Sequence, residues 1–237
     1  MGFFITLIGL ILGDILTPLV SLLIYAASAG IPGWTLFEFI LFQGTLILTI
    51  GVWRTFFLDM LWVVIFRIQE GEFDKVLLKP FPTLATVTTE GFDFEGVGEI
   101  IAGMMIVGFA LYKLQIFTWL MFPYILIILL AVLFMYSLLV FTASLAFIFV
   151  KAWRLAELIN VVEKFARWPI TVYSTTIRFV LTFVVPAAIA SYYPAAVLLG
   201  KEPLSRAAVA VIPVIGFFIL SLLSWKWAIS KYTSAGG

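Results

Sequence analysis

From Leu114 to Val150 the chain carries no charged residue, and that run decides which solvent the protein is built for. A stretch of this length cannot be kept in water by one polar face. In a bilayer about 20 apolar residues at 1.5 Å rise cross the hydrocarbon, with every backbone N–H and C=O satisfied inside the helix. The rest of the sequence agrees. Of its 237 residues 64% are hydrophobic and 11% charged, and 14 Lys+Arg with 13 Asp+Glu are too few to cover a soluble core. The fold expected is an all-α integral membrane domain over residues 1–237, lying in the bilayer as a multi-pass protein.

Six segments are long and apolar enough to span: about 2–29, 35–66, 97–112, 121–150, 169–185 and 207–228. Gly30-Ile31-Pro32-Gly33 ends the first, and Pro123 suits the first turn of the fourth. Loops 67–96 and 151–168 carry Arg67, Lys75, Lys79, Lys151, Arg154, Lys164 and Arg167, and Lys226 and Lys231 follow the last span. The opposite loops hold Lys113, Lys201 and Arg206. The excess of basic loops on one side makes that side cytoplasmic, with both termini inside a plasma membrane of prokaryotic type. Met1-Gly2 fits a loose myristoylation pattern and Ala27-Ser28-Ala29 a signal-peptidase site. Without a basic leader, and with Asp14 inside the apolar stretch, the first segment is expected to be retained.

The chain has neither Cys nor His. That excludes thiolate and imidazole metal sites, Cys nucleophiles and Ser-His-Asp triads. No Walker A loop, GxSxG or HExxH is present, and Gly200-Lys201 is followed by Glu202 rather than Ser or Thr. The expectation is a chain that is not an enzyme, holds no cofactor or metal of its own, and with a net charge of +1 has no affinity for nucleic acid.

Three features carry functional information. In the 67–96 loop, Phe73, Val76 and Leu77 recur at helical spacing between Gly71 and Pro80, predicting a short amphipathic helix. Its apolar face suits either headgroups or a docking partner. Residues 151–168 place Lys151, Arg154, Glu157, Asn160, Lys164 and Arg167 on one side, which predicts an interfacial elbow helix supported by a Glu163–Arg167 pair. Before the last span, Pro186, Tyr192, Tyr193 and Pro194 interrupt an apolar stretch and predict a broken, partly re-entrant element at the outer face.

Charges inside spans are a further signal. Asp14, Arg54, Asp59 and Arg178 each cost roughly 2.5–3.5 kcal/mol if unpaired at the bilayer centre. Pairing of Asp14 or Asp59 with Arg178 is expected, with Arg54 and Asp59 alternatively snorkelling to the nearer surface. Gly9 and Gly13 give the first helix a GxxxG face.

The stretch Gly71-Glu72-Phe73-Asp74 to Leu77-Leu78-Lys79-Pro80 resembles the corresponding loop of the six-helix permeases of type-2 ABC exporters, in their antibiotic-type branch. So do Phe165-Ala166-Arg167-Trp168-Pro169-Ile170-Thr171-Val172-Tyr173, Arg178, Leu181 to Pro186, Tyr193-Pro194-Ala195, and Gly33-Trp34-Thr35-Leu36. The resemblance implies a homo- or heterodimer of permease subunits on separate nucleotide-binding ATPase subunits, which would bind the ATP and Mg. It makes Gly71, Phe73, Asp74, Val76, Leu77, Leu78 and Pro80 a coupling helix seated in the ATPase, Pro186 to Gly200 an outer hairpin, and the first and fifth helices the subunit interface. Such permeases usually begin with a basic interfacial helix, whereas here the apolar stretch starts at Gly2.

The expected function is a permease driven by that ATPase. The alternative is a proton-coupled secondary transporter or channel using Asp14 or Asp59, and a scaffold that docks without transporting is a third class.

Overall fold

The computed structural model describes Leu23, Tyr25, residues 30–149 and residues 152–233. Apart from Leu23 and Tyr25, the expected first span, with Asp14 and the Gly9/Gly13 face, lies outside the described residues. Among those described, four helices are long and apolar enough to cross a membrane: Leu36–Gln69, Gly96–Leu114, Met121–Ala146 and Leu204–Lys231.

The first of these is α1 (Leu36–Phe57) continued by α2 (Asp59–Gln69) across a slight irregularity at Leu58. Gly30 and Gly33, at φ 78° and 80°, turn the chain into it. Glu38 in its first turn accepts a hydrogen bond from the Thr35 backbone N–H (2.6 Å), half of a capping box. Two short helices follow, α3 (Asp74–Leu77) and α4 (Thr83–Thr89), folded back on one another around Pro80-Phe81-Pro82. Helix α5 (Glu95–Leu114) then runs antiparallel to α1.

Their contact is set by glycine. Gly44 and Gly51 on α1, and Gly96 and Gly103 on α5, sit seven residues apart on each helix, the period of a left-handed pair. A Cβ added at Gly51 would lie 2.6 Å from the Ile100 nitrogen, and one at Gly103 2.6 Å from the Leu48 nitrogen. The two backbones touch, so dispersion and not hydrophobic exclusion holds them in lipid.

Helix α6 (Met121–Ala146) is apolar on every side, and its hydroxyls are neutralised locally. Ser137, Thr142 and Ser144 each donate to the carbonyl four residues earlier, at 2.6–2.8 Å. Helix α10, the last (Leu204–Lys231), lies parallel to it, since Phe134 packs on Phe217 and Phe147 on Trp225. Parallel neighbours oblige the chain to cross back between them.

That return differs from the sequence expectation. The expected elbow at 151–168 is helical, as a 3-10 turn (Ala152–Leu155) and α7 (Ala156–Ala166). It packs on α6 and on residues Ala187–Ala190, and only Glu163 and its C-terminal end reach α1. Gln43 Nε2 donates to the Arg167 carbonyl (3.1 Å), Trp168 stacks on Phe39 at 6.0 Å, and Glu163 pairs with Arg54. The expected fifth span at 169–185 is not one helix. After Pro169 come a 3-10 turn (Ile170–Val172), α8 (Thr175–Phe179), and a π-helical turn (Val180–Val184). Pro169 stops α7, and the wider π turn unwinds α8 before Pro186.

The segment from Pro186 is broken as its prolines predict: a 3-10 turn (Ala187–Ala190) and α9 (Tyr192–Leu198), all of whose residues are buried. Ser191 between them donates to the Ala166 carbonyl at 2.7 Å. Irregular backbone is held here by protein, the condition for its presence at membrane depth.

Candidate functional site

Polar contacts gather at the two ends of the bundle and in one interior cluster. At the end carrying loop 70–90, the Gly71 φ of 70° turns the chain after α2, and the Arg67 carbonyl accepts from the Glu72 and Phe73 amides at 2.8 and 3.1 Å. Glu90 clamps the loop by pairing with Arg67 (2.5 Å) and Lys79 (3.3 Å). Lys75 hydrogen-bonds Glu72, which holds that carboxyl below the usual range.

Within this loop the apolar residues divide. Phe73 and Val76 are 0% exposed. Phe73 inserts between Phe147, Trp225 and Tyr232, at centroid distances of 4.8, 6.4 and 5.4 Å, tying α3 to the ends of α6 and α10. The Trp225 indole also donates to Thr83 Oγ1 (3.3 Å). Facing outward instead are Leu78, 85% exposed, Phe81, 69% exposed, and Leu77, 40% exposed, beside Pro80 and Lys79. The predicted apolar face of Phe73, Val76 and Leu77 therefore points mainly into the protein. A four-residue helix is too short for periodicity to say which side its neighbours cover. Phe81, beyond Pro80, was not among the residues singled out by sequence, though its place between two prolines in a charged loop was a usable signal.

At the opposite end, Lys201 Nζ donates to the Gly33 carbonyl (2.7 Å), pairs with Glu38 (3.0 Å) and lies 5.3 Å from the Trp34 ring centroid. Tyr192 donates to Glu202 (2.9 Å), which also accepts from Arg206 (2.7 Å). These contacts fasten the broken segment to the start of α1. Tyr193 and Pro194 are buried beside Tyr192, the two phenol rings meeting edge to face at 5.4 Å.

In the interior, Arg54 reaches two carboxylates on two other elements: Glu99 on α5 and Glu163 on α7, the latter at 2.9 Å. Glu99 and Glu163 are 7% and 5% exposed. The fork of the guanidinium, with separate nitrogens for each partner, suits this bridging role where an ammonium would not. Arg54 is thus paired across three elements, with its own side chain 31% exposed. Arg178, expected to pair with Asp14 or Asp59, instead donates to the Tyr173 and Thr171 carbonyls at 2.8 and 2.6 Å. Asp59 begins α2 and is half buried, while Asp14 lies outside the described residues. Sequence reading took Glu99 as the edge of a span and Glu163 as the partner of Arg167; their link to Arg54 joins residues 45 and 109 positions apart. The usable signal was their placement, three charges in apolar surroundings.

Among the described residues no group of three or more acidic side chains could hold a metal. With the architecture and its polar contacts in view, comparison with known families is decisive: the family model for ABC-2 family transporter protein matches residues 11–236. The chain belongs to the ABC-2 transporter family. No curated protein and no solved structure gives a match. As an ABC-2 transporter protein it is an integral, multi-pass membrane permease of the ABC exporter class, and membership implies work with an ATPase subunit.

Proposed function

We propose that this subunit is the membrane gate of an ABC exporter and is driven by a separate nucleotide-binding ATPase gripped through loop 70–90. ATP and Mg are bound by that partner, and the permease itself catalyses no reaction. The end carrying Arg67, Lys75, Lys79, Lys226 and Lys231 faces the cytoplasm, and a second permease subunit completes the transporter. Contact of Phe73 with Trp225 and Tyr232 supports placing the loop and the last span's C-terminal end together, which is what the excess of basic charge on one side requires.

One observation carries the reading: Leu78 and Phe81 stand exposed on a loop whose base is locked by Phe73, Val76 and the Glu90 pairs. An exposed apolar tip on a rigid base is the form a docking contact takes. Leu77, Leu78, Pro80 and Phe81 then touch the ATPase, while Gly71, Phe73, Asp74 and Val76 shape and anchor the helix. Binding of ATP to the partner must favour one helix arrangement by about 5.5 kcal/mol to move the population from 1:99 to 99:1.

The test is co-purification. Leu78→Ala with Phe81→Ala is expected to release the ATPase from a permease that still elutes as a single species. Retained binding and retained ATP-driven transport would remove the coupling role from this loop.

A further inference from the structure

Loop 70–90 carries a hollow as well as a tip. Between α4 and the turn that folds it back on α3, Pro80, Phe81, Ala85, Thr86 and Thr89 wall an open groove of about 500 Å³. Ala85 and Thr89, one turn apart on α4, are exposed, and so is Phe81. The Thr86 hydroxyl donates to the Pro82 carbonyl (3.2 Å) and that of Thr89 to the Thr86 carbonyl (2.9 Å), so neither hydroxyl proton is left for a guest. Such a wall takes apolar side chains.

Lys79 and Glu90 also line the groove, and their pairing is unequal. One oxygen of Glu90 lies 2.5 Å from Arg67, the other 3.3 Å from Lys79. The Lys79 side chain is 46% exposed, and when it turns away Glu90 stays matched by Arg67. A movable ammonium beside an apolar hollow calls for a carboxylate next to the apolar guest. Phe81 belongs both to the exposed tip and to this wall, so a partner that grips the tip also reaches the groove.

Resting on the docking role proposed for this loop, we infer that recognition runs in both directions. While Leu78 and Phe81 press on the ATPase, the ATPase places an apolar projection in the groove over Ala85. A carboxylate beside that projection takes Lys79 from Glu90. The apolar contact supplies affinity, and the exchanged ion pair fixes register.

The chain has no native cysteine, so Leu78→Cys, Ala85→Cys and Thr89→Cys each give a sole thiol. In phosphatidylcholine nanodiscs each should react with a water-soluble maleimide when the permease is alone. Each should be protected several-fold when the nucleotide-binding subunit that co-purifies with the parent chain is bound. Protection at Leu78→Cys alone, with Ala85→Cys and Thr89→Cys still reactive, overturns the inference and leaves the docking role standing. Protection at none of the three strikes both. Loss of reactivity in the permease alone when phosphatidylglycerol is added to the disc gives the groove to lipid headgroups and likewise overturns the inference.

Filling the groove supplies the energetic test. Ala85→Trp, at an exposed position away from the core, should weaken the ATPase at least about tenfold, the scale of overpacking a fitted contact. Lys79→Gln should weaken it about two- to fivefold, the worth of one exposed ion pair, and Lys79→Arg should keep the parent affinity. Unchanged affinity in Ala85→Trp, read on a permease with the parent melting temperature, overturns the inference; unchanged affinity in Lys79→Gln overturns its carboxylate.

Discussion

Arg54 is the residue on which the interior depends. Its guanidinium, 31% exposed, meets Glu99 and Glu163, whose side chains are 9% and 6% exposed. Removing one member of a buried ionic set costs about 3–5 kcal/mol, because the charges left behind are buried and unmatched. Arg54→Gln is therefore expected to lower the thermal midpoint of the detergent-extracted protein sharply. Glu99→Gln and Glu163→Gln, which leave the cation with one partner each, should cost less. Arg54→Lys should recover part of the loss, since an ammonium reaches one carboxylate well and two poorly. Equal melting of Arg54→Gln and the parent protein would show that the ion pairs do not contribute.

At the level of elements, the α1–α5 pair is a lattice of close backbone contacts with no room for side chains. Gly103→Ala, whose new methyl would meet the Leu48 backbone, should force the helices apart and destabilise by about 1–3 kcal/mol, the range for overpacking. Gly108→Ala on the same helix meets nothing within 4 Å and should be neutral or slightly stabilising. Comparing the two melting curves separates packing from helix propensity. Loop 70–90 gives a parallel contrast: Phe73→Ala opens a hole among Phe147, Trp225 and Tyr232 and should cost about 3–5 kcal/mol of stability. Leu78→Ala should leave the fold intact and weaken only docking.

Elements of this kind were unevenly legible in the sequence. Hydropathy found the spans over 35–66, 97–112, 121–150 and 207–228, because a long apolar run has one physical interpretation in a bilayer. The helical pattern of α7 was also found. Amphipathic spacing reports that one face is polar, and does not say which distant residue a buried charge meets, here Arg54 for Glu163. Likewise Phe73 was found as a significant aromatic, though its direction depends on Phe147, Trp225 and Tyr232, far away in sequence.

For the whole molecule, the clasp of Lys201 with Glu38 and Gly33 at one end and the Phe73 cluster at the other bracket the return passage. Lys201→Ala should leave the hydrocarbon-embedded packing unchanged but loosen the tie between α9 and α1. The expected readout is faster proteolysis or hydrogen exchange around residues 198–203, with less than about 1 kcal/mol change in overall stability for an exposed pair.

The same-direction pairing of α6 and α10 also constrains how the protein is made. While the ribosome is still producing residues 147–203, α6 is already in the bilayer with Phe134 and Phe141 turned toward acyl chains, their eventual neighbour Phe217 not yet synthesised. The last hydrophobic segment to emerge must displace lipid from that side, making its arrival the step at which newborn chains are most open to capture by membrane quality control.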